Sequence, residues 1–238
     1  MKQLNEYFAE MTQHVFKLEG TLDKFIGDCV MAVWGNLLSQ GTEKDAQNAV
    51  LTALAMKRSL VKLNEDWKKR GMPELAFGIG INHGQAIVGN LGSNEKMELT
   101  VIGDAVNTAS RLEGLTKRFH QYLLLGESMG PLVREQFLLQ TVGLLQPKGK
   151  TVPAEVYTVL GERGPKVDGA LEKWLADYES AVKLFRKRDF ETAKKRFERC
   201  LRDRPGDYLC GMYLQECDGL MHNPPDEKWN GVFVMTEK

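Results

Sequence analysis

The chain has 238 residues, 42% hydrophobic and 27% charged, enough to bury the core of one large or two small domains and ordinary for a soluble globular protein. Lysine plus arginine and aspartate plus glutamate stand at 32 each, so no charge imbalance points to nucleic acid or a membrane surface. Its apolar runs are strand-length, no secretory leader opens it, and Cys29, Cys200, Cys210 and Cys217 lack the paired short spacing of a zinc site. A cytoplasmic protein with free, buried thiols is the expectation, with Cys210 and Cys217 on one helical core face.

Leu4, Phe8, Met11 and Val15 repeat at helical spacing and predict an amphipathic helix over residues 2–17, ended by Gly20. Residues 21–25 and 29–34 read as strands around Gly27 and Asp28, a pair suited to a tight hairpin that leaves the Asp28 carboxylate at an exposed tip. Thr42 and Asp45 have capping-box spacing before a long helix that buries Ala46, Val50, Ala53, Leu54, Leu60, Val61 and Trp67 and stops at Gly71 to Pro73. In residues 75–81, large side chains alternate with Ala76, Gly78 and Gly80. That pattern predicts a strand on which another element packs very closely, with residues 85–89 as its hairpin partner.

A helix from Asp104 to about Phe119 follows, then a strand over 122–125, a short helix near 129–135, and strands over 137–145 and 154–160. Strand pairs separated by helices predict an α+β sandwich with a mixed sheet. Gly, Pro and charge cluster over 162–168 as in a linker. Beyond it, Leu171, Trp174, Leu175, Tyr178, Val182 and Phe185 form a helical stripe. A second helix carries Ala193, Phe197 and Cys200 before Pro205, and a third begins near Asp207. These offsets resemble half of a tetratricopeptide repeat, a unit too small to bury its own face, so residues 169–238 should dock on the domain or on a protein partner. Residues 183–204 hold ten basic side chains against four acidic, which reads as a solvated helical face or a surface for an anionic partner.

No P-loop string occurs, and Gly78, Gly80 and Gly84 lack dinucleotide-fingerprint spacing, so they read as structural. Two segments remain. In LDKFIGD at 22–28, the tip carboxylate of Asp28 offers the oxygen donor that a hard divalent cation prefers, while Lys24 taken alone reads first as a snorkelling surface lysine. In TVIGDAVNTASR at 100–111, Asn107 and Arg111 are one helical turn apart near a helix N-terminus, placed to grip a phosphate or ribose. A capped surface helix with an incidental arginine has the same spacing.

Together the two strings resemble the signature segments of class III adenylate and guanylate cyclases, and GIGINHGQAIVGN at 78–90 and KGK at 148–150 extend the match. The resemblance covers residues 2 to about 161 and implies the ferredoxin-like cyclase sandwich, so the expected organisation is a catalytic domain over 1–161, a linker over 162–168 and an all-α, repeat-like extension over 169–238. The tail from Lys228 onward also resembles an extension of some bacterial cyclases, whose catalytic domain follows a sensory, often membrane-anchored region.

What the resemblance implies is a homodimer that turns ATP into cyclic AMP and pyrophosphate at the subunit interface, using two divalent ions, Mg2+ or Mn2+. Asp28 matches a metal aspartate. Lys24 and Thr100 match the pair that reads adenine, and a donor-only lysine argues for ATP over GTP. Asn107 matches the ribose-orienting amide, Arg111 the guanidinium that meets charge on the transferring phosphate, and Lys148 the lysine at the terminal phosphates. Lys24 and Asp28 should serve opposite sites of the dimer. The family's first metal aspartate lies on a strand upstream of the helix that here begins near Lys2, and neither occurs in this sequence. The expectation is therefore an N-terminally incomplete domain with weak or no activity. Two other readings stand beside it: a catalytically silent cyclase-like domain for dimerisation, and an interaction module in the helical tail. A diguanylate cyclase is excluded by its missing hairpin motif.

Overall fold

The computed structural model describes residues 1–92, 97–146, 152–164 and 169–234. The first helix, α1 (Lys2–Lys17), buries Met11 and Val15. Met11 packs with Leu60 and Trp67 of α2 (Thr42–Lys69). At the rim of that contact Glu6 accepts hydrogen bonds from both Arg70 terminal nitrogens (2.7 and 2.8 Å) and from Trp67 Nε1 (2.9 Å).

Between these helices, β1 (Thr21–Ile26) and β2 (Cys29–Val33) form the expected hairpin, and Gly27 takes the positive φ (64°) that its two-residue turn requires. The capping box is corrected. Helix α2 starts after Gly41, whose φ of 100° suits a residue without Cβ, and Thr42 makes no cap. Asp45 instead reaches back and accepts from Ser39 Oγ (2.6 Å) and the Gln40 N–H (3.1 Å).

The pairing of the next strands also differs from expectation. Strand β3 covers only Ile79–Ile81, and β4 (Ile87–Gly92) pairs antiparallel with β5 (Met97–Ile102). Beside β3 lies β6 (Leu123–Leu125), parallel to it and reached through α3 (Asp104–Leu115). A short helix α4 (Gly130–Val133) leads to β7 (Phe137–Gln146) and β8 (Ala154–Glu162), which pair antiparallel. Helices α5 (Gly169–Arg186), α6 (Phe190–Asp203) and α7 (Tyr208–His222) complete the chain with β9 (Val232–Val234). The main sheet has the mixed order β3-β6-β8-β7-β9, and the two hairpins stand as separate two-stranded sheets.

Alternation along the strands separates two cores. Leu123, Leu125, Phe137, Tyr157 and Val159 face α2 and α4, whereas Leu124, Leu138, Val142 and Val156 face the other side. On that second side α3 contributes Leu112, and α5 to α7 contribute Trp174, Tyr178, Phe185, Phe197 and Tyr213 to the same cluster. The extension therefore buries its stripe against the sheet, as its size demanded. It is not all-α: β9 returns to pair parallel with the edge of β7 (Leu144↔Val232), covering backbone groups that an edge strand would leave bare.

Polar groups in this joint are satisfied. Tyr178 and Tyr213 hydroxyls donate to the Thr141 and Val142 carbonyls (2.7 and 3.2 Å). Glu179 accepts from the Thr141 N–H and hydroxyl (both 2.8 Å), and Arg186 pairs with Glu155 (2.6 Å). Part of the basic run is paired at home too: Lys194 with Asp218, Lys195 with Glu191 and Arg199 with Asp177. Cys200, Cys210 and Cys217 are buried as expected, but Cys29 is exposed beside the hairpin turn. Among the described residues no helix is long and apolar enough to cross a membrane.

Candidate functional site: a hairpin and a glycine-seated helix

Helix α3 sits where it does because β3 has no side chains in its way. A Cβ on Gly80 would lie 2.1 Å from the Ala109 carbonyl oxygen and 2.4 Å from the Glu113 nitrogen, and one on Gly78 would lie 2.0 Å from Thr116 Oγ1. Glycines here let a helix backbone rest directly on a strand, the close approach that the alternating sequence predicted.

That seating positions Asn107 and Arg111 on successive turns of α3. Asn107 is exposed. Arg111 is half-buried, and its Nη1 is buried with no hydrogen-bond partner, the single such side-chain atom among the described residues. A guanidinium nitrogen withdrawn from water without an acceptor costs free energy, so it marks a place where an anion would be welcome.

Strand β5 lies against β1 and brings the second pair together. Thr100 is buried, and its hydroxyl donates to Asp23 Oδ2 at 3.1 Å. The Lys24 ammonium lies 3.8 Å from that same oxygen and 3.3 Å from Glu98 Oε2. Lys24 and Thr100, far apart in sequence, thus share one carboxylate oxygen. Asp23 and Glu98 were missed in the sequence, although Asp23 stands next to Lys24 in the signature string.

Asp28 is exposed at the turn of the β1–β2 hairpin. The neighbouring Cys29 thiol is pushed up by burial, with the Glu113 and Asp28 charges adding to it, which makes it a poor nucleophile. Tyr7 of α1 reaches the same tip, and burial pushes its hydroxyl up to about 12. Asp28 is a suitable oxygen donor, yet no group of three or more His, Cys, Asp or Glu side chains spaced to hold a metal occurs among the described residues. One carboxylate falls short of the donor set that a pair of divalent ions requires. Lys148 lies outside the described residues.

Comparison with known proteins shows the family. The family model of the adenylate and guanylate cyclase catalytic domain matches residues 1–161. The terminal-differentiation-specific adenylate cyclase of Dictyostelium discoideum is 33% identical over 219 residues, which is 90% of this chain and 10% of that protein. An adenylate cyclase of Anabaena cylindrica is 36% identical over 163 residues, 66% of this chain and 31% of the relative. Among solved structures, the adenylyl cyclase CyaB of P. aeruginosa superimposes with a TM-score of 0.64 at 33% identity, covering 70% of this chain and 84% of that one. The fold is the α+β cyclase sandwich, a curled mixed sheet with helices packed on it. The chain belongs to the adenylate and guanylate cyclase catalytic domain family, class III, whose members use divalent metal ions. It spans less than a third of the length of the curated relatives it matches.

Proposed function

We infer that the chain is the catalytic part of an adenylate cyclase, forming 3′,5′-cyclic AMP and pyrophosphate from ATP at a homodimer interface, for intracellular signal transduction. The observation that carries this reading is the meeting of Lys24 and Thr100 on one Asp23 oxygen, which sets a donor beside a hydroxyl at one edge of the site. In the reaction the ribose 3′ hydroxyl gives up its proton to solvent, its oxygen attacks the α phosphorus, the bond from that phosphorus to the bridging oxygen breaks, and pyrophosphate leaves. Asn107 orients the ribose. Arg111, whose buried Nη1 lacks a partner, meets the charge that builds on the transferring phosphate, a role worth about 10²- to 10³-fold in rate. Lys148 receives the terminal phosphates. Asp28 would be the residue to offer a carboxylate oxygen to Mg2+ or Mn2+, which would supply charge neutralisation when bound. The tail helices over 169–222, with the repeat-like offsets seen in the sequence, brace the sheet and leave an outer face for a protein partner.

The test is cyclic AMP formation from manganese-ATP by the full chain, with manganese-GTP and Arg111→Ala as comparisons. Weak cyclic AMP formation, as a lone metal carboxylate at Asp28 implies, but still above the Arg111→Ala level and above cyclic GMP, is the expected result. Product from GTP alone, or none from either, contradicts it. The second reading, a silent cyclase-like dimerisation domain, is favoured by the lone metal carboxylate at Asp28 and takes the last of those outcomes as its own.

A further inference from the structure

The β1–β2 ladder contains an irregularity at one place. Its register runs from Leu22↔Ala32 directly to Lys24↔Met31, so Asp23 has no partner across the hairpin. In a regular strand residues 23 and 24 would point to opposite faces; an extra residue breaks the alternation and re-aims a side chain. Here it lets both Asp23 and Lys24 turn toward β5. The Asp23 side chain is only 7% exposed, and it spends that burial on Thr100 and Lys24.

We propose that Asp23 is a positioning residue for nucleotide selection: by accepting the Thr100 proton it leaves Thr100 only lone pairs to offer the base. A hydroxyl has one proton, and a carboxylate accepts but does not donate. With that proton held inward at 3.1 Å, the outward face of Thr100 is an acceptor, beside the donor-only Lys24. Adenine fits this pair, since its exocyclic amino group donates and its ring N1 accepts. Guanine inverts both, with an accepting O6 and a donating N1–H, and would set acceptor against acceptor and donor against donor. This inference rests on the adenylate cyclase reading and deepens it.

The experiment reads the ratio of ATP to GTP affinity, by competition with a fluorescent nucleotide, on the full chain and on Asp23→Asn, Thr100→Val and their double variant. Turnover of both nucleotides is measured in parallel. Asparagine is nearly isosteric and can donate to Thr100, freeing its proton to face outward. Asp23→Asn should lower the ATP preference about tenfold, the size of one well-placed base contact. In the Thr100→Val background the same change should alter the ratio by less than about twofold, because the two residues act as one unit. An unchanged ratio in Asp23→Asn, or an equal effect in both backgrounds, overturns the proposal. Should Asp23→Asn fail to fold, Thr100→Ser against Thr100→Val decides: serine keeps the inward bond and the ATP preference, and a serine variant as unselective as valine overturns the proposal. Normal nucleotide selection in a wild-type chain without turnover would defeat the cyclase reading alone. Binding of neither nucleotide overturns both.

Discussion

The hairpins and the helical extension handle their apolar side chains in opposite ways. In the extension, Tyr178, Phe185, Phe197 and Tyr213 are at most 1% exposed, whereas in the hairpins Ile26, Ile87, Leu91 and Leu99 are between 58% and 75% exposed. The buried Tyr178, Glu179 and Tyr213 of the extension find their polar partners in β7; the hairpin side holds the unpartnered Arg111 nitrogen and the bare Asp28 tip. One region is finished within the chain. The other carries the kind of apolar surface from which subunit interfaces are made, around polar groups left without a partner in the chain.

Breaking the seat of α3 should have the largest effect on stability. Gly80→Val puts two methyls where 2.1 Å separates a Cβ from backbone, so the fold should lose about 3 kcal/mol or more and nucleotide binding with it, read by denaturant midpoint and competition binding. On the finished side, Glu179→Ala strands the Thr141 N–H and hydroxyl, and about 1–3 kcal/mol of stability should go while the ATP affinity of the folded chain stays unchanged.

A smaller effect depends on pH. Hydrogen bonds from Arg70 and then Trp67 hold the Glu6 carboxyl at about 2, below its ordinary 4.5. A depressed folded-state value stabilises the fold above about 4.5, and the contribution fades as pH falls through about 2. The midpoint gap between wild type and Glu6→Gln should therefore be full at pH 7 and vanish in acid. A constant gap would show that the α1–α2 contact does not depend on this charge. The least effect on subunit stability belongs to Leu91→Ser with Leu99→Ser. Their side chains already face water, so the change should stay within about 0.5 kcal/mol while the proposed homodimer weakens in sedimentation.

Much of this contrast was legible from residues alone. The Gly27 and Asp28 turn, the Gly78 and Gly80 seat and the stripe from Leu171 to Phe185 are local signals, since periodicity and glycine spacing need no knowledge of the rest of the chain. What escaped depends on distant partners. Residues 85–89 look like the mate of β3, but nothing within them says that β5 is the strand they meet. A three-residue strand such as β9 exists only because β7 offers an edge, and Asp23 gains its place only from a slip in register. Thr42 and Asp45 have the spacing of a cap, yet Ser39 and Gln40 claim the carboxylate first.

The most direct test of the central claim mixes two dead chains. If Asp28 and Arg111 serve opposite subunits, Asp28→Ala and Arg111→Ala should each lose about 10²-fold or more of cyclic AMP formation alone. A mixture should regain up to roughly a quarter of wild-type activity, because half the dimers are mixed and each keeps one whole site. No recovery from two folded, dimerising variants would contradict a site shared between subunits, and near-normal activity in either variant alone would remove that residue from the chemistry.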